Sequence, residues 1–119
     1  MPYVDGYVIA VPTANKDKYR AMAEEAASYF KKHGALRIVE SWGDDVPEGK
    51  LTSFSMAVKR EDAESIVFSY IEWPSKDVRD VGMHKAMDEM MANTTMTPEN
   101  MPFDGKRMIF GGFQSIVEA

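Results

Sequence analysis

The stretch SIVFSYIEW, residues 65–73, decides the fold of this chain. Successive side chains of a β-strand point to opposite faces of the sheet. Here both sets are apolar: Val67, Ile71 and Trp73 point one way, and Ile66, Phe68 and Tyr70 point the other. Strands of this kind are typical of a sheet whose two faces are both covered. We therefore predict a central strand that is buried on both sides.

Helical and alternating patterns surround this strand. They predict, in chain order, a strand at 3–11, a helix at 15–33, a strand at 36–42, the strand at 65–73, a helix at 75–93 and a strand at 107–117. Asn15 and Ser75 are suitable N-caps, and Gly34 is suitable for a left-handed C-cap. The order βαββαβ predicts an α+β fold, a ferredoxin-like sandwich of two helices on an antiparallel sheet.

The remaining segments are less regular. Residues 51–58 fit either a short helix or an edge strand, and a helical turn is favoured. Residues 43–50 and 94–106 predict exposed loops. Within the last strand, Gly111 and Gly112 indicate a bulge or a close approach to the backbone. Helical spacing predicts an inner stripe on the second helix, made of Val78, Val81, Met87, Met90 and Met91.

One face of the predicted sheet lacks a cover. Two helices cover only one face of a four-stranded sheet, yet the first strand is also apolar on both sides, with Tyr7 and Ile9 opposite Val4 and Val8. Stacking the open faces of two copies would bury both in a two-fold symmetric contact. A standard interface of roughly 800 Å² per partner is large enough to cover such a face. The pattern therefore predicts a homodimer.

Composition limits the classes of function. A length of 119 residues predicts one domain, 1–119. The net charge of −5, with basic residues scattered singly, argues against nucleic acid as a partner. No apolar run is long enough to span a bilayer, and the first residues lack the pattern of a signal peptide. With no cysteine in the chain, we expect a cytoplasmic protein without membrane association.

Four segments together resemble a known family. They are MPYVDG at 1–6, ESWGDDVP at 40–47, FSYIEWPSK at 68–76 and FDGKRMIFGGF at 103–113. They are similar to the bacterial YbaA-like proteins, the family called domain of unknown function 1428. The resemblance implies a branch of the dimeric α+β barrel superfamily, whose members pair sheet on sheet. Superfamily relatives include cofactor-free quinone-forming monooxygenases, haem-degrading enzymes and stress-response barrels. The family itself implies a fold and no reaction.

His84 is the first candidate for a functional side chain. It shares a helix face with Met87 and lies one turn from both Asp80 and Asp88. A histidine beside a carboxylate could act as a general base or a haem ligand. The alternative interpretation is a partly buried histidine that forms helix-surface pairs with its acidic neighbours. His33 near a helix C-terminus has a structural explanation.

Glu40 is the second candidate, because it lies on an otherwise apolar strand face. Such a carboxylate could carry acid–base chemistry, or it could point into a solvated end of the barrel or pair with Arg37 or Arg107. Asp5 is interpreted in the same way. Three aromatic side chains are candidates for lining a ligand pocket, although they also suit a core: Tyr7, Trp42 and Tyr70.

Two functions follow as hypotheses, and whether the chain is an enzyme stays open. The first is a protein that binds or oxidises a small aromatic or quinone-like molecule in a cleft between helices and sheet, with Glu40, Trp42, Tyr70 and His84 around it. The second is a non-catalytic dimeric interaction or stress-response module that acts through its loops. With no cysteine and two separated histidines, we expect no metal site and no cofactor.

Overall fold

The fold was analysed in a computed structural model of the chain, which describes residues 2–93, 97 and 99–119. Its strands and helices occur in the predicted order, with one short helix added. The strands are β1 (Tyr3–Pro12), β2 (Arg37–Trp42), β3 (Glu64–Trp73) and β4 (Ile109–Gln114). The helices are α1 (Lys16–Lys32), α2 (Phe54–Ala57) and α3 (Lys76–Asn93), with 3₁₀ turns at Thr13–Asn15 and Gly105–Arg107.

The four strands form one antiparallel sheet in the order β2-β3-β1-β4. This arrangement is a ferredoxin-like α+β fold, which confirms the predicted fold class. The strand that decides the fold, β3, lies between β1 and β2, as its two apolar sides predict. The predicted last strand was too long at both ends. It begins only at Ile109, because Arg107 belongs to a 3₁₀ turn, and it ends at Gln114.

The helix face of the sheet carries α1 and α3. Alternate residues of β1 and β3 point to it, and the register places Ile9 opposite Val67 and Tyr3 opposite Trp73. Tyr19 and Ala23 of α1 complete the cluster around Ile9. Trp73 is fully buried, and the ring of Phe30 meets it edge to face at 6.5 Å. The core therefore lies between the sheet and the two long helices.

The opposite face, which we call the open face, is covered only at one end by the described residues. There the helix α2 packs Phe54 edge to face on Phe68, with ring centroids 6.1 Å apart, and Val58 is buried against Ala10 and Ile66. The helical turn favoured for residues 51–58 is confirmed. The rest of the open face is apolar and partly exposed: Val4, Gly6 and Val8 of β1, Phe68 and Tyr70 of β3, and Ile109, Gly111 and Phe113 of β4.

The inner stripe predicted for α3 is wrong. Val81, Met87 and Met91 are exposed, whereas the buried residues of this helix are Gly82 and Ala86. The helix is turned this way because Arg79 reaches inward to Asp5 of β1, with Nη2 2.8 Å from Oδ1. Spacing of apolar residues cannot predict an orientation that an arginine determines.

The helix ends follow the predictions in part. Ser75 accepts a hydrogen bond from the backbone N–H of Val78, and Gly34 has a φ of 111° after α1, as expected of a left-handed C-cap. Asn15 precedes α1, but its side chain makes no capping bond and donates instead to the carbonyl of Pro102 at 3.0 Å. It thus ties the start of α1 to the segment before β4.

The predicted loop at 94–106 lies partly outside the described residues, at 94–96 and 98. Its described end is held by Arg107, which donates from Nη1 and Nη2 to the two oxygens of Glu64 at 2.8 and 2.7 Å. No helix in the described parts of the chain is both long enough and apolar enough to cross a membrane.

Gly82→Ala should destabilise the protein. A Cβ at this position would clash with the backbone oxygen of His33 and lie 2.6 Å from the ring of the buried Trp73. Alanine normally stabilises a helix by about 1 kcal/mol relative to glycine, but overpacking against a rigid core costs about 1–3 kcal/mol. We expect a net loss in urea unfolding. The control is Gly105→Ala, where a Cβ meets no atom within 4 Å. A Gly82→Ala protein as stable as the control would contradict this packing.

The Glu64–Arg107 pair should make stability depend on pH. Hydrogen bonds from Arg107 hold the pKa of Glu64 below its usual value. The stability that they contribute is present above the unfolded pKa of about 4.3 and is lost as pH falls through the folded pKa. We expect Glu64→Gln to cost about 1.5–3 kcal/mol at pH 7, and the difference from wild type to shrink roughly between pH 5 and 3.

The matched control for this measurement is Glu61→Gln. Its exposed carboxylate lies 3.7 Å from Arg107, so it should change stability by less than about 0.5 kcal/mol. Urea unfolding of the three proteins at several pH values gives the comparison. A Glu64→Gln difference that stays constant down to pH 3 would show that the charge of Glu64 contributes nothing.

Candidate functional site

A cleft lies between α1 and the edge strand β2 on the helix face of the sheet, with a volume of about 320 Å³. Its apolar wall is formed by small side chains from α1 and by aliphatic side chains from β2 and β3. The lining residues are Lys16, Tyr19, Arg20, Ala23, Glu24 and Ala27 of α1, Ile38, Glu40, Ser41 and Trp42 of β2, and Val67 of β3. The alanines of α1 leave the space, because larger side chains there would fill it.

Glu40 is the acid of this cleft, and two hydroxyls orient it. Tyr19 donates to Oε1 at 2.6 Å, and Ser69 donates to Oε2 at 2.9 Å. Burial raises the pKa of Tyr19, and the charge of Glu40 raises it further, so the phenol stays protonated and remains a donor. Each carboxylate oxygen can accept a second hydrogen bond. The arrangement can therefore bind a proton donor of a ligand.

An aromatic wall lies beside this carboxylate. The ring of Trp42 is 6.5 Å from that of Tyr19, and Tyr19 in turn meets Phe103 edge to face at 5.8 Å. The ammonium of Lys16 lies over Trp42, 5.4 Å from the ring centroid. The indole of Trp42 is only partly buried, which leaves part of its surface for a flat molecule.

Tyr7 lies beside the cleft without lining it. It is the cross-strand partner of Ser69 and stacks on Phe110 with ring centroids 6.2 Å apart. Burial raises the pKa of Tyr7, and the charge of Asp5 adds to the effect. Among the described residues its hydroxyl has no hydrogen-bond partner.

The structure separates the other candidates from the cleft. Tyr70 points to the open face, and His84 lies on the outer side of α3, where its side chain is 79% exposed and 3.4 Å from Asp88. The prediction that Glu40, Trp42, Tyr70 and His84 surround one cleft is therefore wrong for the last two. The alternative interpretation agrees with the structure in the contact with Asp88 but not in the burial, because the side chain is exposed and not partly buried.

The partners expected for the acidic candidates were also wrong. Glu40 contacts neither Arg37 nor Arg107, because Arg107 is engaged by Glu64. Asp5 is buried under α3 and accepts hydrogen bonds from Arg79 and from the indole N–H of Trp73 at 3.0 Å. It is part of the core packing and does not face the cleft. His33 binds Glu89 of α3 at 2.8 Å.

The sequence alone did not identify Tyr19, Ser69 and Lys16 as parts of the site. Tyr19 lies at helical spacing with Met22 and Ala23, which is typical of a core residue, and the hydroxyl of a buried tyrosine needs a hydrogen-bond partner. Glu40, on the helix face of the sheet, is that partner. The need of a buried tyrosine hydroxyl for an acceptor was the signal from which the pair could have been predicted. Within the described residues, no three metal-ligating side chains come together.

The fold and the cleft define the class: a ferredoxin-like α+β protein with a cleft between its first helix and an edge strand, lined by aromatic and charged side chains. The chain belongs to the family described as "Protein of unknown function (DUF1428)", whose model matches residues 2–105. It is 58% identical over 120 residues to the uncharacterized protein YbaA of Escherichia coli K12, with 99% of each chain covered. The protein of the same name from Shigella flexneri matches equally. The resemblance inferred from the four segments is thereby confirmed.

Proposed function

We propose that this protein binds a small, flat aromatic compound in the cleft between α1 and β2. The observation that carries the proposal is the Glu40 carboxylate, fixed by Tyr19 and Ser69 next to the partly exposed ring of Trp42. A cleft of about 320 Å³ is near the lower end of ligand pockets, roughly 300–1,000 Å³, and suits a compound of one or two rings.

The chemistry of the cleft follows from its two components. Trp42 offers a face for stacking, and Glu40 accepts a hydrogen bond from a hydroxyl or N–H group on the ring. Because Tyr19 and Ser69 already fix both oxygens, the carboxylate loses little freedom when it accepts a ligand proton. Glu40 is also the group that can take up a proton from the ligand. Oxidation of the bound compound stays a prediction from the superfamily resemblance.

We further propose that two copies pair through their open faces. At the centre of that face, Gly6 and Gly111 are cross-strand partners, and the ring of Phe113 lies over both of them. Beside this ring, Phe68 and Tyr70 complete a trough of about 460 Å³ whose walls are almost entirely apolar. Exposed aromatic side chains around a notch are the features that stable interfaces bury. The trough would thus receive side chains of the second copy.

Ligand binding can be tested through the two tryptophans. Trp73 is fully buried, with its indole N–H bound to Asp5, so a ligand in the cleft should change the emission of Trp42 alone. We expect members of a panel of quinones, phenols and indoles to change this emission and to raise the melting temperature. At a free ligand concentration of 100 times Kd, binding should stabilise the folded protein by about 2.7 kcal/mol.

Three variants control this experiment. Trp42→Phe should remove the emission change, and Glu40→Gln should weaken binding about tenfold through the lost charge-assisted hydrogen bond. His84→Ala should leave binding unaltered, since His84 lies on the far side of α3. The proposal fails if no compound in the panel changes either signal, or if His84→Ala abolishes binding while Glu40→Gln does not.

Pairing of open faces predicts a mass in sedimentation of twice the 13.4 kDa of one chain at micromolar concentration. Phe113→Ser should weaken the dimer by at least about 30-fold, the effect of losing about 2 kcal/mol at an interface aromatic. Val81→Ser is the control, because this exposed side chain lies on α3, on the other side of the sheet from the trough. A wild-type protein that sediments as a single chain would overturn the pairing.

A further inference from the structure

The carboxylate of Glu40 in the cleft has hydrogen-bond partners, whereas two cations in the cleft have no ion-pair partner in the described part of the chain. Glu40 is held by two hydroxyls, but neither Lys16 nor Arg20 forms an ion pair with any described residue. The two cations are one turn apart on α1 and line the same wall. By contrast, Arg79 and Arg107 elsewhere in the chain each engage at least two carboxylates.

These cations have no structural role comparable to that of the paired arginines. The ammonium of Lys16 lies 5.4 Å from the ring centroid of Trp42, within reach of an acidic group on a ligand that stacks on the remaining surface of this ring. It is also the first residue of α1, where the positive end of the helix dipole adds to its charge. In a chain with a net charge of −5, this wall of the cleft is locally positive. Glu24, one turn after Arg20, is the acidic residue that partly offsets it.

We propose that the ligand is an aromatic acid that carries a hydroxyl group. The proposal rests on aromatic binding in the cleft and specifies the polar groups of the compound. Its acidic group contacts Lys16 and Arg20, its ring stacks on Trp42, and its hydroxyl donates to Glu40. Amine-bearing aromatic compounds fit this arrangement less well, because a second cation would be repelled by the wall of α1.

The test uses three compounds with one ring system: 6-hydroxy-2-naphthoate, its methyl ester and 2-naphthoate. The ester removes the acid charge and keeps the hydroxyl, whereas 2-naphthoate keeps the charge and removes the hydroxyl. In isothermal titration calorimetry of the wild-type protein, we expect the hydroxy acid to bind at least about tenfold more tightly than either analogue.

Variants then assign each preference to its residues. The double variant Lys16→Met and Arg20→Met should remove the advantage of the acid over its ester, and Glu40→Gln should remove the advantage of the hydroxyl. The control is Lys18→Met with Lys31→Met, which changes the charge of the same helix equally but outside the cleft. It should preserve the preference for the acid within about twofold, since exposed charges contribute little.

The outcomes separate this inference from the proposed function. If the ester binds as tightly as the acid, or if the acid keeps its advantage in the Lys16 and Arg20 double variant, the ligand class is wrong while aromatic binding in the cleft stands. The same holds if other aromatic compounds change Trp42 emission and none of these three binds. If no aromatic compound alters Trp42 emission or the melting temperature, the proposed function fails together with the inference.

Discussion

The ion pair between the buried Asp5 and the partly buried Arg79 is the interaction on which the packing of α3 depends. The fully buried residues of this helix are the small Gly82 and Ala86, and Met83 adds a partly buried contact with the cluster around Trp73. Arg79 compensates by crossing from α3 to β1, and the indole of Trp73 in β3 binds the same carboxylate. Losing one partner of such a pair costs on the order of 3–5 kcal/mol, because a buried charge remains. The pair thus fixes how α3 lies on both central strands.

The glycines of β4 show how this interaction shapes the rest of the sheet. Gly112 faces the helices, and a Cβ there would clash with the hydroxyl of Tyr3 and lie 2.7 Å from Arg79. Its neighbour Gly111 faces the opposite way and, with Gly6, lies under the ring of Phe113 in the trough. The two adjacent glycines therefore make room on different faces. The register between β1 and β4 is unbroken there, so the sequence correctly indicated a close approach, and no bulge is present.

The sequence predicted the element order and the faces of the strands because these depend on local periodicity. It failed where a long-range polar contact decides the geometry. Asp5 and Arg79 are 74 positions apart, and spacing within α3 gave no sign that an arginine would point inward. The hydrogen bonds of Glu40 are also long-range contacts, since Tyr19 and Ser69 come from two other elements. Glu40 and Trp42 could be inferred from the sequence, because they lie on one face of the same strand. The hydroxyls that donate to Glu40 could be identified only from the folded structure.

The proposed ligand cleft and the proposed dimer contact lie on opposite faces of the same sheet and meet at β3. Ser69 points to the helix face and holds Glu40, while its neighbours Phe68 and Tyr70 point to the open face. Alternate residues of β3 point to opposite faces of the sheet, so a second copy bound to the open face leaves the cleft on the helix face accessible. It would also restrict β3, on which the orientation of Glu40 depends. A rigid carboxylate is what selective binding of a proton donor requires, so pairing would favour the binding that we propose.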